Sequence, residues 1–407
     1  MDSLVIRDYA QRIENELKQN ILPFWIKQVV DHDRGAFFGE LTNALEVHRD
    51  VERGALLSTR ILWTYSAAYR QNQDPVLLEM ARQAYDDLEK HFRDHQYGGY
   101  YWSITAEGKP LRTRKQVYGQ AFAIYALSEY HRASGLREPL DQAITIYHLL
   151  EKHAREPKFG GYLEAFSREW GHIDDMRLGA GDMNEPKSQN THLHVMEAYT
   201  NLLRVWPDAG LKRSQTELLD VMLNRILNTS SHHLGLFFAE DWTPRSTAIS
   251  YGHDIEACWL FMEAASVLGD VDLTARIKSE VLKTAAATLA QGVDTDGAIY
   301  NEGEAHGVTN TNKEWWPQAE AVVGFINAFE LSKEDRFLRA ALRCWDFIEA
   351  RLIDRKHGEW FRGVTRDGAV LQDELKVSFW KCPYHNGRAC MEAATRLRAI
   401  AAAEDRK

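Results

Sequence analysis

The sequence predicts an all-α fold, an (α/α)6 barrel of six inner and six outer helices with short β hairpins in the connections. Two observations carry that expectation. First, a glycine followed by aromatics and a short extended run recurs six times. The copies are RGAFFGEL from Arg34, YGGYYW from Tyr97, FGGYLEAF from Phe159, LGLFFAEDW from Leu234, DGAIYNEG from Asp296 and HGEWFRGV from His357. Their first glycines, Gly35, Gly98, Gly160, Gly235, Gly297 and Gly358, are separated by 63, 62, 75, 62 and 61 residues. Such regular spacing is the signature of a repeated supersecondary unit. Second, the helical stretches between these marks are of two alternating kinds.

Each mark, a glycine with alternating aromatics, reads as a short strand or hairpin opened by a turn. Residues 77–95, 140–156 and 337–355 place apolar side chains at helical spacing with charges opposite. These are amphipathic helices that face outward. Residues 120–135, 192–206, 254–269 and 319–332 are Ala-rich and apolar around most of the helix circumference. A helix apolar on all sides is buried on all sides. Each unit thus holds a buried helix, an outer helix and a strand turn, and six such pairs close most naturally into a barrel. The 75-residue gap points to an insertion near residues 170–190, GHIDDMRLGAGDMNEPKSQN. That polar stretch reads as a loop, and long loops in compact domains often carry function. No linker divides the chain, so a single domain over 1–407 is expected.

The 407 residues are 44% hydrophobic and 27% charged, with a net charge of −10. No basic block stands out, so nucleic acid is not an expected partner. No apolar run approaches the ~18 residues needed to span a bilayer. The first residues, MDSLVIRDYAQRIENELKQN, lack the apolar core and small-residue cleavage site of a signal peptide. A cytoplasmic monomer or weak dimer with no membrane partner is expected. Cys258, Cys344, Cys382 and Cys390 form no CxxC pair and read as buried reduced thiols. Twelve Trp, sixteen Tyr and sixteen Phe suit a large core or a sugar cleft, with the core claiming most of them.

In a barrel of inner helices a ligand cleft lies at one open end, lined by the starts of those helices. LLSTRILW offers Arg60, and KQVYGQAF offers Tyr118 and Gln120. NTHLHVMEA offers Asn190, His192, His194 and Glu197, and SYGHDIEA offers His253, Asp254 and Glu256. EWWPQAEA offers Trp315, Trp316 and Glu320, and WKCPYHNGRACME offers Trp380, His385, Arg388 and Glu392. A single histidine at a helix start is more often structural. Six polar starts from six repeats around one cavity are a stronger signal.

Three chemistries compete for these residues. His-x-x-Glu on one helix face would suit a zinc or iron site. However, His194, His253 and His385 stand on different repeats and no HExxH occurs, so neither a metal nor any other cofactor is expected. Glu256 is instead expected to orient His253 by a hydrogen bond. Glycoside hydrolysis would need only two carboxylates, from among Glu256, Glu320, Asp182 and Asp254, and leaves the histidines without work. Proton transfer at carbon uses them all. Two histidines on opposite faces of a carbon would invert it, Arg60 would stabilise the enediolate, and tryptophans would stack on sugar faces. That set fits an aldose epimerase or isomerase. A sugar-binding protein without activity on the same barrel is the non-enzymatic alternative.

STRILW, YGQAFAIYAL, NTHLHVMEAYT, SYGHDIEACWL, WWPQAEAVVGFINA and WKCPYHNGRACME resemble, in the same order, motifs of the N-acylglucosamine 2-epimerase superfamily. The resemblance runs from Pro23 to Met391 and is nearest to the branch acting on cellobiose-like disaccharides. It implies an (α/α)6 barrel. It also implies cofactor-independent interconversion of reducing-end glucose and mannose in β-1,4-linked disaccharides, by ring opening, C2 proton abstraction and a cis-enediolate. His253 and His385 match the acid/base pair, His194 a histidine tied to ring opening, and Arg60 the enediolate support. Tyr118, Asn190, Glu256 and Glu320 match polar supports of the site, and Trp316 an aromatic beside the sugar. Trp380 matches one that stacks on the second sugar, and Asp182 a substrate contact in the inserted loop. His192 matches no role and reads as structural. Mannose isomerase or mannose 2-epimerase activity within the same superfamily is the alternative, since those relatives share the histidines and the arginine.

Overall fold

The computed structural model describes residues 1–406; Lys407, the last position of the expected domain span, lies outside the described residues. The helices in chain order are α1 (Ser3–Glu16), a single turn α2 (Leu22–Phe24), α3 (Ala55–Asn72), α4 (Pro75–Asp87), α5 (Val117–Ser134) and α6 (Arg137–Leu149). After them come α7 (Gln189–Leu203), α8 (Ala209–Val221), α9 (Tyr251–Leu268), α10 (Val271–Gln291), α11 (Trp315–Ser332), α12 (Asp335–Phe347) and α13 (Tyr384–Glu404). α3, α5, α7, α9, α11 and α13 pack each on the next, and α13 returns to α3. This closed ring is lined outside by α4, α6, α8, α10, α12 and α1. The fold is an (α/α)6 barrel.

Sequence pattern decides which ring a helix joins. In α5 every residue from Val117 to Tyr130 is buried, and in α3 every residue from Ala55 to Ala68. By contrast α12 buries one face, including Phe337, Leu338, Ala341, Cys344 and Trp345. In four of the connections the chain turns from inner to outer helix through a residue in the left-handed region, whereas α7 ends at Arg204 in the right-handed region. Gly135 and Gly269 do this without strain, while Gln73 and Lys333 adopt φ of 56° and 62° at the same place. Asp74, Asp208 and Asp270 then cap the outer helices, accepting from the backbone N–H groups of Val76, Gly210 and Leu273.

The six strand turns sit where the glycine marks fall, with one correction. Gly35, Gly98, Gly160, Gly297 and Gly358 all have positive φ, but Gly235 does not. The equivalent residue in the fourth unit is His232, with φ 61°, whose N–H donates to Asn228 at 2.7 Å. Gly98 and Gly358 make the same bond to Asp94 and Asp354. Composition misplaced the mark by three residues because a histidine there carries no turn signal.

A second repeated device holds the ring in place. Arg53, Lys115, Lys187 and Lys313 each stand two residues before an inner helix, and all are buried. Arg53 pairs with Asp87 at 3.0 Å, Lys115 with Asp94 at 2.8 Å, Lys187 with Glu156 at 3.2 Å and Lys313 with Asp294 at 2.9 Å. The partners of the three lysines lie just beyond the end of the preceding outer helix, whereas Asp87 ends α4, the outer helix that follows α3. A buried pair fixes geometry more than it adds stability, because the desolvation cost offsets much of the attraction. Here it sets the depth at which these four inner helices begin.

No helix among the described residues is long and apolar enough to cross a membrane. All four cysteines are buried free thiols.

Candidate active site

The N-terminal ends of the inner helices surround a cavity of about 520 Å³. Arg60 reaches it from α3, Tyr118 from α5, Asn190 and His194 from α7, His253 and Glu256 from α9, Trp316 from α11 and His385 from α13. Trp380, from the loop before α13, forms part of the rim. Closing a ring of six helices therefore brings together residues separated by more than 300 positions in sequence.

Three histidines line the cavity, and each is tethered through Nδ1. His194 Nδ1 lies 2.8 Å from Glu197 Oε2, and His385 Nδ1 lies 2.7 Å from Glu320 Oε1. A carboxylate only accepts, so in both rings the hydrogen sits on Nδ1 and the lone pair on Nε2. His253 is different. Its Nδ1 lies 2.8 Å from the Ser250 hydroxyl. The expectation that Glu256 orients His253 fails, because Glu256 Oε1 instead accepts from Arg388 at 2.7 Å. The i, i+3 spacing put the carboxylate on the right helix, but the stronger charge-assisted bond drew it toward the barrel axis. Among the described residues, no hydrogen bond reaches the Nε2 of any of the three. Burial pushes His253 and His385 down to about 3, so both stand as neutral bases at physiological pH.

Behind the histidines, Arg388 joins three buried carboxylates. Its Nη2 is 2.7 Å from both Glu256 and Glu320, and its Nη1 bonds to Glu197. Tyr384 also donates to Glu197. Burial works against ionisation of Glu320, but Arg388 overrides it and holds the carboxyl at about 2. Glu256 moves the other way, pushed well up by burial and by the neighbouring Glu320 charge. One arginine thus positions two histidines, His194 through Glu197 and His385 through Glu320. The ligand atoms of Glu256, Glu320 and His385 lie within 4.8 Å of one another, close enough for a metal ion. The guanidinium bonded to both carboxylates already fills that place, so the donor set does not fit a metal.

Arg60 is buried, donates to Tyr118 Oη at 2.8 Å and rests 4.4 Å above the Phe122 ring. It brings a fixed positive charge to the cavity wall. Trp316 packs between two histidine rings, 4.7 Å from His253 and 5.7 Å from His385. Glu320 does not line the cavity but stands behind His385. Asp182 lies outside the lining, and its carboxylate accepts from Gly179 N within its own loop at 2.7 Å. His192 uses both ring nitrogens inside the fold, Nδ1 at the Ser188 carbonyl and Nε2 accepting from Tyr162 N. Asp254 faces away, bonded to His233 at 2.7 Å.

Sequence reasoning named Glu197 and Arg388 without giving either a role, and passed over Ser250, Glu314 and Arg362, of which the last two also line the cavity. The spacings His194–Glu197 and His385–Arg388, both i, i+3, were the available signal for the first two. Nothing in the sequence singles out Ser250.

The sequence pattern of the N-acylglucosamine 2-epimerase (GlcNAc 2-epimerase) family matches residues 36–387. A cellobiose 2-epimerase of Bacteroides fragilis is 46% identical over 383 residues, 94% of this chain and 97% of that one. A cellobiose 2-epimerase of Ruminococcus albus is 39% identical, covering 94% and 98%. The solved structure of cellobiose 2-epimerase from Bacillus thermoamylovorans superimposes with a TM-score of 0.92 at 38% identity, covering 96% and 99%. A D-mannose isomerase structure, at 21% identity and TM-score 0.83, shares the fold.

Proposed function

The chain belongs to the N-acylglucosamine 2-epimerase family, and we propose that it works as a cellobiose 2-epimerase, an isomerase that interconverts glucose and mannose at the reducing end of β-1,4-linked disaccharides. The observation that carries the reading is the pair His253 and His385. They come from different repeats, flank Trp316, and each leaves Nε2 open to one cavity that Arg60 also enters.

One histidine takes the C2 proton of the opened sugar at Nε2, and the electron pair passes into a cis-enediolate. The other histidine, neutral at rest, takes up a solvent proton at Nε2 and returns it to the opposite face of C2, and the first histidine then releases its proton to solvent. Inversion is complete with no net change in protons, and no cofactor enters. Arg60 stabilises the enediolate oxygens with a charge already in place. His194, its Nδ1–H fixed on Glu197, serves ring opening at the C1 oxygen. Tyr118 and Asn190 hold the sugar hydroxyls, Glu256 and Glu320 hold the machinery from behind, and Trp380 stacks on the second sugar at the rim. Asp182 reaches substrate only if its loop moves inward. The disaccharide reading ranks above mannose isomerisation because the chain is far more similar to the cellobiose enzymes. Hydrolysis ranks lower still, since Glu256 and Glu320 are committed to Arg388.

Incubation with cellobiose in heavy water tests the proposal. NMR should show glucosyl-mannose with deuterium at C2. Release of free glucose, or no C2 exchange on cellobiose, would overturn it.

A further inference from the structure

Two inner helices begin with a serine at the N-cap, and the two hydroxyls do different things. Ser188 opens α7 with φ −131° and ψ 154°, and its Oγ accepts from Thr191 N at 3.1 Å. This is the ordinary use of an N-cap serine, which satisfies a backbone donor left free in the first turn. Ser250 opens α9 with φ −107° and ψ 102° and makes no such bond. Its Oγ lies instead 2.8 Å from Nδ1 of His253, the third residue of the helix. Both serines are buried, at 5% and 6% exposure, so solvent access does not explain the difference. A capping residue that gives up its cap for a cavity-lining imidazole breaks a local rule, and such breaks concentrate at functional sites.

The choice of a hydroxyl has a chemical consequence. His194 and His385 face carboxylates and are held with the hydrogen on Nδ1. A hydroxyl both donates and accepts. It donates to Nδ1 when His253 carries its hydrogen on Nε2, and it accepts from Nδ1–H when Nε2 is the free base or when both nitrogens are protonated. The other ionisable groups that face His253 are His194 on α7, His385 on α13 and Glu320 on α11. Glu256, on its own helix, is bonded to Arg388. None of them supplies a partner to His253 Nδ1.

We propose that Ser250 is a positioning residue of the epimerase reaction: its hydroxyl fixes the His253 ring over the cavity and follows its proton, accepting from Nδ1–H as Nε2 takes the C2 proton and donating to Nδ1 when the tautomer reverses. The proposal rests on the reading of His253 as an acid/base group. It makes the two catalytic histidines unequal by construction, one backed by a carboxylate and one by a neutral hydroxyl.

Four single variants of the full chain test this with cellobiose as substrate. Ser250→Ala should lower kcat at least tenfold with KM within twofold, and should move the acid limb of kcat/KM downward, because the imidazolium loses its acceptor. Ser250→Thr should restore both. Ser250→Asp should move the acid limb upward, since a carboxylate favours the protonated ring. Ser188→Ala should do the reverse of Ser250→Ala, lowering Tm with kcat and the pH profile unchanged. A Ser250→Ala enzyme with unaltered kcat and pH profile overturns the proposal. If that variant does not fold, an unmoved acid limb in Ser250→Asp overturns it instead. A fully active His253→Ala enzyme is the distinct outcome that removes the functional reading itself.

Discussion

At the C-terminal mouth of the inner helices, Arg70 and Arg132 both donate to Glu129, Arg204 donates to Glu263, and Arg396 donates to Glu330 and Glu392. A cavity of comparable size opens there as well. Void and charge therefore do not tell the two ends apart. The state of the polar groups does. At the C-terminal mouth each of these cations already has a carboxylate. At the N-terminal mouth, three imidazoles are tethered on one side and open on the other. A site is marked by hydrogen-bonding capacity that the fold has positioned but not used. Arg388 separates the two ends, with Glu197 and itself facing the far cavity and Glu256 facing the near one.

The largest effects should follow from the open groups. His253→Ala and His385→Ala should each lower epimerisation by roughly 10²–10⁴-fold, the usual worth of a positioned acid/base group, with circular dichroism and Tm close to those of the parent. Retention of a tenth of the activity in either variant would break the contrast between the mouths. Next comes the partition itself. Arg388→Met leaves Glu197, Glu256 and Glu320 without their shared cation, and breaking a buried ion pair in this way costs about 3–5 kcal/mol. Urea unfolding would read that loss, and a change near zero would mean the cluster is not load-sharing. The smallest effect belongs to the far mouth. Arg204 and Glu263 are partly exposed, and such pairs contribute about 1 kcal/mol or less. Arg204→Met should stay within that range in urea and leave kcat/KM on cellobiose unchanged; a fall in activity would show that the two ends are coupled.

Much of the barrel was legible in the sequence. The apolar girth of residues 120–135 against the one-sided pattern of residues 337–355 separated inner from outer helices, because burial on all sides and burial on one side demand different compositions. Five of six turn glycines were found, since a positive φ favours glycine. The sixth was misread because His232 adopts the same backbone. The lysines before the inner helices went unnoticed, although Lys115, Lys187 and Lys313 recur at one offset, because a lysine in a sequence is expected in solvent and only a buried partner brings it inside. Of the site, most residues that line the cavity were legible from their positions at helix starts, while Glu314 and Arg362 were passed over. The partners of the lining residues were not legible.

The sequence by itself determined the helices, their alternation, the ring they form and the side chains at its mouth, because these follow from periodicity, which is local. Tertiary structure alone decided which group holds which. His253 and Glu256 are three residues apart, yet Glu256 turns to Arg388, which is 132 positions away, and His253 turns to Ser250. Inside a barrel the bond that forms is the one that best relieves a buried charge, and the partner able to do so is set by closure of the ring rather than by distance along the chain.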